Sequence, residues 1–153
     1  MRRIVFTLAA FALLTCSGEP DSPEAEVRAT LAAIEAAAGA RDPGALKQHI
    51  SDAYSDAQRN DKQALVAVAT LHLVRNQAVY TLSRIVDLDT NEPGSAQVRA
   101  LVALAGRPIP DTAALATVRA DLYRFDVTLR EEEPDAWRVV SAEWKPATLG
   151  DFR

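Results

Sequence analysis

Few side chains in this sequence have the type and spacing that chemistry requires. The single cysteine, Cys16, stands between an apolar run and an acidic stretch that contains proline. In an exported chain, one leftover thiol pairs between chains, stays reactive, or is consumed by modification. The two histidines, His49 and His72, fall on different segments, and neither has a cysteine or carboxylate at ligand spacing. A metal centre therefore has no support. Ser83 and Ser141 lie in strand-like stretches without the sharp glycine-flanked turn that exposes a nucleophile. Glycine is sparse, at 6, and none forms a phosphate-cradling loop, so no cofactor is expected. Tyr54 and Tyr80 carry a hydroxyl on an aromatic body and can line a pocket mouth. Arg84 interrupts the apolar side of its strand. A guanidinium there can grip an acidic ligand, or it can lay its stem over the core edge with its head in water. Arg124 and Asp126 share one strand face, solvated or paired with a neighbouring strand.

The chain opens with Met1-Arg2-Arg3 and an apolar run from Ile4 to Leu14 broken only by Thr7. A basic start followed by a short apolar run is the layout of a secretory signal. The run is too short for a transmembrane helix, which needs roughly 20 apolar residues. Leu13-Leu14-Thr15-Cys16 resembles the lipobox of bacterial lipoproteins, with Thr15 where a smaller residue is usual. The resemblance implies that residues 1–15 are removed and that Cys16 becomes a lipidated first residue. Multiple acyl chains anchor firmly where one binds only marginally. Ser17, by resemblance to the sorting rule of enteric bacteria, directs the chain to the outer membrane, facing the periplasm. Residues 16–22 form the lipidated terminus and a short tether.

The chain has 17 Lys+Arg and 21 Asp+Glu, a net charge of −4, which becomes −6 without Arg2 and Arg3. No basic stripe with interleaved aromatics is present, so nucleic acid is excluded as a partner. Residues 23–153 are one domain's worth of chain.

Three helical signals come first. Ser22-Pro23-Glu24 supplies an N-cap, a proline at the first position and an acid in the first turn. Val27, Leu31, Ile34 and Ala38 then recur as one stripe. Asp42-Pro43 repeats the start signal for a short helix carrying Leu46 and Ile50. Asn60 with Gln63 reads as the capping box of a third helix, which runs to about Arg75. The period then changes. Residues 78–88 are rich in Val, Ile, Thr and Tyr, and a turn follows at Asn91–Gly94. Ala96, Val98, Ala100, Val102 and Leu104 alternate as a half-buried strand. Tyr123, Phe125, Val127 and Leu129 alternate again, while Val118, Ala120 and Leu122 hold the opposite phase, which predicts a bend near Leu122. Trp137 to Trp144 is a last strand. The two tryptophans are an odd number apart, so a regular strand puts them on opposite faces, one in the core and one as an interface anchor. The fold class is α+β, with three N-terminal helices packed on a curved antiparallel sheet of about four strands.

"LAAIEAAAGARDPGALKQHISDAYSD" and the closing "WRVVSAEWKPA" resemble the opening and final strand of the nuclear transport factor 2-like superfamily, a cone-shaped fold shared with ketosteroid isomerases and polyketide cyclases. Together with the lipobox, "LVALAGRPI" and "VRADLYRFDV" resemble a group of proteobacterial lipoproteins without assigned activity. The resemblance implies a pocket at the wide end of the cone. In the isomerases an aspartate on a late strand stands within a pattern that "ADLYRF" matches, which makes Asp121 the candidate catalytic residue and places Phe125 beside it. The other roles do not transfer. The first-helix tyrosine falls on or near Ile34, and the base aspartate near Gln58, with Asp56 out of register. Ile34, Tyr54, Tyr80, Arg84, Asp121 and Phe125 are the ligand-pocket candidates. The expected function is binding of a small apolar ligand or a protein partner at the envelope, without catalysis. The alternatives are an isomerase or lyase working through Asp121, or a structural module with a filled cone. Folds of this kind also pair through the sheet face, so a homodimer is a further expectation.

Overall fold

A computed structural model describes residues 22–153; the signal, Cys16 and nearly all of the tether lie outside the described residues. Helix α1 spans Pro23–Gly39, α2 Pro43–Gln48 and α3 Lys62–Arg75. Strands β1 (Tyr80–Asp89), β2 (Ser95–Ala105), β3 (Ala120–Glu133) and β4 (Ala136–Pro146) form one antiparallel sheet in that order.

The helix starts follow from local chemistry. Ser22 Oγ accepts from the Ala25 amide at 3.2 Å. Asp42 does the same for α2, accepting from Ala45 at 2.9 Å. Between them Arg41 takes a left-handed φ of 56° and turns the chain. Its guanidinium donates to the carbonyls of Leu73 at 3.0 Å and Gln77 at 3.1 Å, which ties the end of α3 to the end of α1. The cap of α3 differs from expectation. Asp61, not Asn60, accepts from the Ala64 amide, at 2.8 Å. Asn60 is drawn back instead onto the buried carboxylate of Asp56.

The sheet is covered on both faces, which changes the reading of its alternation. The inner face packs Ala96, Val98, Leu129, Trp137, Val139 and Ala142 against Val27 of α1 and against Ile50 and Tyr54. The outer face packs Leu101, Ala103 and Ala105 against Ile109, Leu115 and Phe152. The end of β2 is therefore apolar in both phases, as a strand buried on two sides must be. The expected bend near Leu122 is absent. β3 pairs with β2 without a slip from Ala120 to Arg130. Its two apolar phases serve two cores, with Leu122 and Ala120 outward and Val127 and Leu129 inward. The remaining outer surface is polar. There Arg99 of β2 pairs with Asp126 of β3 at 2.8 Å, the cross-strand pairing expected of Asp126.

The register slips elsewhere, between Ile85 and Asp87 of β1, where Thr128 and Leu129 meet β4 at Ser141 and Val139, and between Glu131 and Glu133 at the β3–β4 turn. The second slip decides where the tryptophans point. Trp137 lies in the inner core and donates its indole N–H to Glu26 at 2.7 Å. Trp144 is paired with Phe125 on the same inner face. The extra residue in β4 cancels the odd spacing, so Trp144 is not the outward anchor that regular alternation predicts.

Candidate functional site

The end of α3, the end of β2 and the start of β3 leave an open cleft of about 200 Å³ at the edge of the sheet. His72 and Asn76 border it from α3, Leu104 from β2, and Asp121 from β3, with Arg119 at the rim. Val79 closes its base next to the end of α1, where Gly39 lies against the Val79 carbonyl. Leu104 and Asp121 are cross-strand partners, so the carboxylate stands beside an apolar neighbour on one face.

Of the residues expected to line a pocket, Asp121 is at the cleft and Phe125 lies on the same face of β3, two rungs further in. Phe125 is stacked on Trp144, with ring centroids 6.2 Å apart at 29°, and meets Tyr123 edge-on at the same distance. Ile34 is on the inner side but packs against the core. Tyr54 is 3% exposed and belongs to that core. Its hydroxyl is 3.1 Å from Asp56 Oδ2 and 3.4 Å from the Ala142 carbonyl.

Two expected pocket residues lie on the other face. Tyr80 pairs with Ala105 and Arg84 with Leu101, both outward positions of β2. The apparent continuity of Tyr80, Leu82, Val86 and Leu88 fails because the slip at Val86 moves Leu88 to the inner face. Arg84 grips the chain itself, donating to the carbonyls of Asp151 at 3.0 Å and Phe152 at 3.1 Å. Cys16 lies outside the described residues.

Asp56 is not placed to act as a base. Its oxygens accept from the Asn60 amide and side chain, each at 2.9 Å, and from Tyr54. Burial pushes its pKa up, but these hydrogen bonds, with one from the Gln58 backbone, outweigh it and hold the carboxyl below its ordinary range. Tyr54 moves up, first through burial and then through the Asp56 carboxylate beside it. Together they form a brace for the loop before α3. His49 is held below its ordinary value by burial and by the Arg138 charge. Among the described residues, no group of three or more His, Cys, Asp or Glu is arranged to hold a metal ion.

Sequence reasoning missed the roles of His72, Asn76 and Trp144 at this end of the molecule. His72 reads as a core-facing histidine, yet it is exposed at the cleft. Asn76 caps the end of α3 and donates its side-chain amide to the His72 carbonyl at 2.8 Å, which brings the two together.

No known protein-family profile and no curated protein sequence matches the chain. Solved structures do. A ketosteroid isomerase-like protein from Erwinia carotovora atroseptica superposes with a TM-score of 0.61 at 17% identity, covering 81% of this chain and 95% of that one. A scytalone dehydratase-like protein from Novosphingobium aromaticivorans gives 0.65 at 10% identity, covering 80% and 83%. An NTF2-like protein from Cytophaga hutchinsonii gives 0.60 at 10%, covering 83% and 100%. At these identities the likeness is one of fold. The three helices and the curved four-stranded antiparallel sheet give this chain the nuclear transport factor 2-like fold.

Proposed function

We propose that this is an envelope lipoprotein, held by lipid on Cys16 at the outer membrane, whose cone takes a small apolar ligand at its mouth without converting it. The observation that supports binding is the cleft itself, where Asp121, His72, Asn76 and Arg119 set polar groups around the apolar Leu104 and Val79. The observation that disfavours turnover is the use of Asp56 and Tyr54 as a brace, since it leaves Asp121, which the resemblance puts at the oxyanion donor's place, without a carboxylate base to move the proton.

The orientation suits a ligand from the aqueous side. The tether joins α1 at its start, and the cleft lies by its end. A helix of 17 residues separates the two by about 25 Å.

The isomerase or lyase reading has one observation in its favour, the Asp121 carboxylate at the cleft. Asp121→Asn separates the two. A binder retains its ligand, recovered chemically unchanged from wild type and variant alike. An enzyme releases product from the wild type and stops doing so in the variant, and that result would reject the binding reading.

A further inference from the structure

We propose that the outward face of α3 is a self-association surface, on which a second copy of this chain lays its own α3 antiparallel about a two-fold axis near Val68. The pairing stands apart from the ligand reading.

Helix α3 is apolar on all sides. From Gln63 to Val74 it contains no Asp, Glu, Lys or Arg. The one hydroxyl in that stretch, on Thr70, turns back onto the Val66 carbonyl at 2.7 Å. The fold uses one side of the helix. Leu65 packs against the inner core and Leu73 is 5% exposed. The other side carries Ala64, Ala67, Val68, Leu71 and Val74 at helical spacing. Val68 is 52% exposed, Leu71 50% and Val74 68%. Three of the six exposed large hydrophobic residues in the described chain thus form one stripe, where scattered ones would need no explanation. A helix that is hydrophobic all round belongs in a covered position. Here one side has its cover and the other does not.

The charges at the two ends of the stripe name the occupant. Asp61 caps the start of α3, with one carboxylate oxygen accepting from the Ala64 amide. Arg75 ends the helix, is exposed, and forms no ion pair within the described chain. Fourteen residues are close to four helical turns, so the two stand on nearly the same side, about 21 Å apart, with Val68 midway. The surface is therefore complementary to itself. A second α3 laid antiparallel sets its Arg75 against Asp61 and its Asp61 against Arg75, as a two-fold interface requires. A parallel arrangement would set like charge on like charge at both ends. The small Ala64 and Ala67 let the two helices approach closely. A bilayer fits the face less well. The stripe carries no Trp or Phe to hold lipid, and the chain's net charge of −4 opposes anionic headgroups.

One face of a single short helix is small beside the roughly 1,200 Å² at which standard interfaces begin. The pair is a transient one, and covalent trapping reads it. Single cysteines are placed in the full-length chain as Val68→Cys, Leu71→Cys, Val74→Cys and, away from α3, Ala116→Cys, which is also exposed. Intact bacteria are treated with a short bis-maleimide; Cys16 is common to all variants and sets the background. The expected yield of crosslinked dimer is highest at Val68, lower at Leu71, and at Val74 no greater than at Ala116, because antiparallel helices hold the two Val74 positions about 18 Å apart along the axis. Arg75→Glu in the Val68→Cys chain should lower the yield about fivefold, the worth of two exposed ion pairs. Adding Asp61→Asn, which keeps the cap and removes the repulsion, should recover most of it. Yield at Val68 and Leu71 no greater than at Ala116 would mean that lipid, another segment or water meets this face, and would overturn the proposal. Yield at Val74 equal to that at Val68, or a yield indifferent to Arg75→Glu, would overturn the antiparallel pairing.

Discussion

Tyr54 and Asp56 show how a residue pair that looks functional can be structural. The hydroxyl and the carboxylate lie where the loop before α3 meets β4, and each is the other's partner. Their shifts work in opposite directions on stability. Asp56 binds its proton more weakly in the folded chain, so its contribution is present at neutral pH and fades as pH falls below the ordinary carboxylate range. Tyr54 holds its proton more tightly when folded. Its contribution is complete below its ordinary pKa of about 10 and is lost as the pH rises beyond that, where the unfolded chain ionises first. Tyr54→Phe should cost about 1 kcal/mol at pH 7, the worth of one hydrogen bond. It should also flatten the decline in stability above pH 10. Urea unfolding followed by tryptophan fluorescence between pH 7 and 11 measures both. An unchanged alkaline limb would mean that Tyr54 does not hold its proton in the fold.

At the scale of elements, the least expected feature is the cover over the outer face of the sheet. Residues 106–118 and the turn Leu149–Phe152 together hide Leu101, Ala103 and Ala105. Phe152 is 4% exposed, and Arg84 fastens the backbone around it. Phe152→Ala removes a large buried side chain and should cost about 3 kcal/mol. Hydrogen exchange should quicken at the end of β2 before the rest of the sheet. A loss below 1 kcal/mol would mean that the cover adds little to the core.

The helix starts are legible in the sequence because caps are local: Ser22 and Asp42 each act within three residues of themselves. The cap of α3 is not, because Asn60 and Asp61 are both competent. The choice depends on Asp56, which only the folded loop brings into place. The strands are legible as segments but not as faces. A one-residue slip inverts every later side chain, and the slips at Val86 and in β4 depend on partner strands. This is why Tyr80 and Arg84 miss the cone and Trp144 enters it. The outer cover has no periodicity to read, since its residues follow the sheet and not a repeat of their own. Asp121 and Phe125 are legible only through the resemblance of "ADLYRF" to a known pattern.

For the whole molecule, the two ends of α1 divide the labour. On the proposed function, the tether joins one end and the cleft that would take the ligand lies at the other, so anchoring and binding would not compete for surface. A second copy approaching the sheet's outer face would find the apolar half already covered and the charged row of Asp87, Arg99, Asp126 and Glu143 exposed. Any pair formed there would weaken as salt rises.

One measurement reads both the proposed lipid anchor and the proposed occupied cone. Native mass spectrometry of the full chain, extracted from bacterial membranes in mild detergent, reports covalent and non-covalent mass together. The expected result is a mature chain beginning at Cys16 with acyl mass on that residue, and a small organic molecule that leaves on gentle activation. An unmodified N-terminus with a bare chain would contradict it on both counts.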